Sequence, residues 1–207
     1  MKATHMMAAG IAFLTSDEIM KKLDAQTQAD IRAGKKEFFL ADMYVRKKLD
    51  GSAGQIEIIR STDDAQVGFT RFEKGKLPEG CYMAAVAVGM AYGYDSTDLK
   101  KEDEIRYQSS EYTVTLPQRL LAADLIAKYG DHKIVECRVR NFFANSYADY
   151  ATPTNDENLV PLPTPKLIGH KDLTQAALKF PSTNNGLPLH SHFVEIVFKG
   201  VIIGNRA

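Results

Sequence analysis

The chain has 207 residues, enough for one domain with an appendage, and its 44% apolar and 25% charged residues are ordinary for a globular fold. Lys plus Arg number 26 and Asp plus Glu number 26. The resulting zero formal charge argues against a general nucleic-acid binder, which needs surplus cations to displace counterions from phosphates; it also removes the self-repulsion that keeps copies apart.

Lys2 and the apolar run Met6–Leu14 faintly imitate a signal peptide, but the run lacks an A-x-A cleavage site. Thr15 and Glu18 have the spacing of a capping box, and Ile19, Met20 and Leu23 supply a thin apolar stripe. The helix they predict runs to about Ala33 and stops at Gly34. Its second half, DAQTQADIRAG, is too polar to bury much by itself, and a lone helix of this length is marginal in water. Residues 1–34 are therefore expected to form an assembly arm that orders on another subunit through Ile19, Met20, Leu23 and Ile31, with Lys21, Lys22 and Arg32 near solvent.

Residues 35–207 read as a single β-rich domain. KEFFLADMYVRKK predicts a strand, Asp50-Gly51 a turn, QIEIIR a second strand and VGFTRF a third. The stretch CYMAAVAVGMAYGYDS, residues 81–96, falls short of the ~20 apolar residues of a membrane span. Its Gly89 and Gly93 form a GxxxG without the long apolar host that gives the pattern meaning. Read with period two, it puts Tyr82, Ala84, Val86, Val88, Met90, Tyr92 and Tyr94 on one face. The other face carries Ala85, Ala87, Gly89, Ala91 and Gly93, small residues that let a sheet, helix or subunit approach closely. IRYQSSEYTVTL and HKIVECRVR predict further strands; between them PQRLLAADLIAKYG predicts a short helix, with Pro117 near its start and Gly130 as its C-terminal cap. Pro153, Pro161, Pro163 and Pro165 make 151–166 an extended loop or edge segment. DLTQAALKF and FVEIVFKGVII complete about eight strands, which with few helices indicate a mainly β fold, a β-sandwich or jelly roll.

The strongest hint of chemistry is GLPLHSHFVEIVFKG, in which His190 and His192 form an HxH that a strand would project from one face. It resembles the first motif of the cupin jelly rolls, and the resemblance implies a metal site. However, Glu195 follows after only two residues, alternation aims it at the opposite face, and no second histidine motif supplies a third ligand. His190 and His192 therefore read as a solvent-facing or hydrogen-bonded pair, and neither metal nor cofactor is expected. GKLPEG lacks the spacing and hydroxyl of a phosphate loop, the acidic loops lack calcium spacing, and no GxSxG occurs. Cys81 and Cys137 form no CxxC and read as small buried thiols, a bridge between them being left open. Lys35, Lys36, Arg46, Lys47 and Lys48 read as a charged strand rim rather than a binding patch. No catalytic activity is indicated.

A polar N-terminal helix, a β-rich body with long proline-bearing loops and a final apolar strand together resemble the small jelly-roll capsid or capsid-associated proteins of bacteriophages. The resemblance implies a self-assembling virion protein, partnered by its own copies and other virion proteins, and located in the virion after assembly in the host cytoplasm. A non-catalytic β-sandwich binding or tail module and a cupin-like metal-binding protein are the competing expectations.

Overall fold

Strands send successive side chains to opposite faces, so strands with one apolar face each bury it by stacking two sheets. The computed structural model describes residues 3–49, 54–97, 99–107, 116–143, 159–183, 187 and 191–205. Within them lie eight strands: β1 (Lys36–Lys48), β2 (Gln55–Ile59), β3 (Tyr82–Asp95), β4 (Asp124–Tyr129), β5 (His132–Arg138), β6 (Leu159–Gly169), β7 (Thr174–Lys179) and β8 (Ser191–Asn205). They form two antiparallel sheets of four, ordered β1-β8-β3-β6 and β2-β7-β4-β5. The fold is mainly β, as expected. The pairing is nested: β4 with β5, β3 with β6, β2 with β7 and β1 with β8, as if the chain were doubled back on itself.

The core lies between the sheets. Met43, Val45, Met90, Tyr92, Ile196 and Phe198 of the first meet Ile56, Ile58, Leu125, Ala127, Ala176 and Leu178 of the second in one apolar cluster. Phe72 packs edge-on against Phe198 at 5.9 Å between ring centroids.

Several predicted elements take another form. Residues 67–72 (VGFTRF) are turns with isolated bridges, because Gly68 (φ 87°) reverses the chain there. PQRLLAADLIAKYG holds only one helical turn, α4 (Gln118–Leu121), before β4. From Asp124 the burial period becomes two, with Leu125, Ala127 and Tyr129 inside, and Gly130 (φ 54°) turns the β4–β5 hairpin instead of capping a helix. α5 (Arg140–Phe143) follows β5. Part of the proline-rich stretch is the edge strand β6; its ladder to β3 jumps from Lys166 to Pro161, which leaves Pro163 and Pro165, without N–H groups to donate, out of the pairing. Asp50, Gly51 and most of IRYQSSEYTVTL lie outside the described residues.

The helix expected from Thr15 to about Ala33 is two, α2 (Asp17–Met20) and α3 (Ala25–Arg32), and a further helix, α1 (Ala3–Leu14), precedes them. No capping box forms at Thr15, whose hydroxyl donates to Ile11 O (2.8 Å) inside α1, while Glu18 pairs with Lys22 (2.8 Å). The effective cap is Asp24, which accepts from Thr27 N at 2.7 Å. α3 stops at Gly34 (φ 68°), where Gly34 N donates to Ile31 O and Lys35 N to Asp30 O, the paired bonds of a Schellman motif.

Candidate functional site

The residues expected to form an assembly arm pack, in the single chain, on its own sheet. Ile19 and Leu23 are buried with Leu14 against Tyr82, Ala84, Val201 and Ile203, on the face of β3 and β8 turned away from the sandwich core. Met20 and Ile31 pack at the margin of the same cluster. Gly10 makes the close approach: a Cβ there would overlap Val201 Cγ2. The thin apolar stripe is sufficient because the sheet supplies the rest of the apolar surface.

Polar bonds fasten this layer. The Tyr82 hydroxyl donates to Asp24 Oδ2 at 3.0 Å, and Asp24 N donates to the same hydroxyl at 3.2 Å. Burial opposes ionisation of Asp24, but bonds from Thr27 N, the Thr27 hydroxyl and Tyr82 outweigh it and hold the carboxyl at about 2. Burial and the adjacent carboxylate push the Tyr82 phenol up to about 12.

The small-residue face of β3 is split by a bulge. Register against both β6 and β8 shifts between Ala85 and Ala87, which leaves Val86 as the extra residue. Met83 and Ala85 thus face the sandwich core, and so do Val88, Met90 and Tyr92. Ala87, Gly89, Ala91 and Gly93 turn to the opposite face, so the expected unbroken row from Ala85 to Gly93 is corrected. The close neighbour is present at Gly93, where a Cβ would overlap Ile105 Cγ2. Beside it Asp95 gathers the next loop, accepting from Thr97 Oγ1 (2.8 Å), Leu99 N (3.0 Å) and Lys100 N (3.1 Å). Those bonds override burial and hold its carboxyl at about 2.

On the same outer face Arg46 makes an ion pair with Glu195 (2.6 Å) and lies over the rings of Tyr44 (5.2 Å) and Tyr107 (5.0 Å). Lys47 reaches Asp63 at 3.6 Å and Lys35, just before β1, reaches Asp30 at 3.9 Å, while Lys36 donates to Gly80 O at 3.2 Å.

Of the two histidines, His190 lies outside the described residues. His192 is buried, not solvent-facing: its Nδ1 lies 2.7 Å from the Tyr92 hydroxyl. Glu195 projects to the opposite face, as alternation predicts. Among the described residues no three His, Cys, Asp or Glu side chains gather as a metal site. Cys81 and Cys137 are free and half-buried; burial pushes both thiols up, Cys137 to about 11, the reverse of what a reactive thiolate needs. A cleft of about 560 Å³ opens between α1–α2 and the β4–β5 turn, floored by Phe13, Tyr82 and Leu167 and rimmed by Lys133, Lys166 and Lys171. Among the described residues no helix is long and apolar enough to cross a membrane.

No protein-family model, curated protein or solved structure matches this chain.

Proposed function

We propose that this protein is a structural subunit of a virus particle, building or decorating a shell through contacts with its own copies and with other virion proteins, in the manner of bacteriophage jelly-roll subunits. The observation that carries this reading is the strand order. Two facing sheets ordered β1-β8-β3-β6 and β2-β7-β4-β5, with every pair antiparallel, support a reading as a double-sheet jelly roll, an architecture used by capsid subunits, lectins and cupins. Among those uses, the cupin reading is weakened by His192, whose Nδ1 is taken up by the Tyr92 hydroxyl.

Negative-stain microscopy and light scattering of the purified chain, alone and mixed with the other structural proteins of its source particle, test the reading. Regular particles, or saturable attachment to a preformed shell, are the expected result. A chain that neither assembles nor attaches overturns it.

A further inference from the structure

A concave surface concentrates the field of the charges on its rim, because its walls exclude water from the space between them. The cleft between α1–α2 and the β4–β5 turn is such a surface. Four lysines reach its lining from four different segments: Lys22 after α2, Lys133 on β5, Lys166 on β6 and Lys171 in the β6–β7 turn. Lys22 is paired with Glu18 (2.8 Å) and Lys133 with Glu136. Lys166 and Lys171 are different. Among the described residues neither has a carboxylate within 4 Å or a hydrogen-bond acceptor.

Asp172 is the remaining acid of the lining, and it is drawn back against the β4–β5 turn. Its carboxyl carbon lies 3.5 Å from where a Cβ on Gly130 would sit, and its N–H is 3.5 Å from the Tyr129 hydroxyl. Against Glu18, Glu136 and Asp172, the four ammoniums leave one positive charge in surplus. The floor below them is apolar. Phe13 and Leu167 pack at the margin of the cluster under the helices and are only partly buried, so one side of each meets the cleft.

We propose that this cleft binds a small aromatic carboxylate, its acid group between Lys166 and Lys171 and its ring against Phe13 and Leu167. The volume of about 560 Å³ lies within the roughly 300–1,000 Å³ of small-molecule sites. A single surplus charge matches one carboxylate, whereas a nucleic-acid backbone calls for a run of unpaired cations. The apolar floor adds a demand that a bare inorganic anion does not meet, since burying Phe13 and Leu167 is favourable only under an apolar body. This site is independent of shell building: a chain that binds the carboxylate and forms no particle upholds it.

The test is calorimetric titration of the full chain with 2-naphthoate, with acetate and the neutral 2-naphthamide as the two halves of the ligand. One saturable site for 2-naphthoate is expected, at least about tenfold tighter than for either half, with an affinity that falls as salt rises. Lys166→Gln with Lys171→Gln should weaken binding about tenfold or more and flatten the salt dependence. Lys128→Gln with Lys179→Gln, exposed lysines that do not line the cleft, should leave it unchanged. Thr164→Trp, at an exposed position of the lining, should fill the cleft and block binding with the melt preserved. No binding of 2-naphthoate at about 1 mM, equal affinity for 2-naphthamide, or binding that survives both Thr164→Trp and the Lys166/Lys171 pair of substitutions overturns the proposal.

Discussion

Tyr82 and Asp24 join sheet to helix: the phenol donates to the carboxylate at 3.0 Å while the Asp24 main-chain N–H donates back to the phenol oxygen at 3.2 Å. The same carboxylate caps α3 through Thr27 N at 2.7 Å. One side chain therefore both starts a helix and fixes it to β3.

Tyr82→Phe should cost about 1.5–3 kcal/mol, the range for a hydrogen bond to a charged group. Asp24→Ala should cost more, since it removes the cap as well. Denaturant unfolding of both variants and the double variant gives the coupling; full additivity would show that the two residues act separately.

Asp24 and Asp95 both titrate at about 2, below the ordinary 3.8. A folded value below the unfolded one means that the stabilisation is complete above the unfolded value and is lost as pH falls toward the folded one. Melting temperature should therefore fall between about pH 4 and pH 2. Asp95→Asn should melt lower at pH 5 yet fall less steeply. A flat wild-type profile through that window would contradict the assignment.

A truncated chain beginning at Lys35 uncovers Tyr82, Ala84, Val201 and Ile203. It should aggregate or melt well below the full chain, because a contiguous apolar face is left on the sheet. A soluble fragment with an unchanged melt, followed by calorimetry and light scattering, would return residues 3–34 to the role of a detachable arm.

Gly200 and Gly93 separate rigid from yielding contacts. A Cβ on Gly200 would overlap Ala84 O, main chain of the neighbouring strand beside the Val86 bulge, whereas on Gly93 it meets the Ile105 side chain. Gly200→Ala should cost at least the 1–3 kcal/mol typical of overpacking, and Gly93→Ala less, as Ile105 can change rotamer. Thermal melts of the two variants check the order.

What the residues disclose depends on whether their neighbours are chemically distinct. KEFFLADMYVRKK was recoverable end to end as β1 because apolar and charged residues mark its limits. The Val86 bulge was not, since AAVAV is apolar whichever face each residue takes, and parity carries no label there. β4 was hidden by Pro117 and Gly130, which bracket it with the punctuation of a helix. The helices' partner was invisible for another reason. Ile19 and Leu23 rest on Val201 and Ile203, far along the chain, and local pattern does not say which distant strand will offer its back. His192 looked like half of a ligand pair; its burial depends on Tyr92 across the β3–β8 ladder.

The position of β8 has a consequence for the order of events during translation. β8 lies between β1 and β3 and is paired with both, yet it leaves the ribosome after the other seven strands described. At about 5–20 residues per second, β3 waits on the order of ten seconds for its central partner. Throughout that interval the nascent chain displays YMAAVAVGMAYG, an uncharged strand with no proline and a strong tendency to pair with any passing edge. Yield in the cell should thus depend on the elongation rate and on chaperone supply more than on the stability of the finished sandwich, and slowing synthesis after Asp95 should lower it.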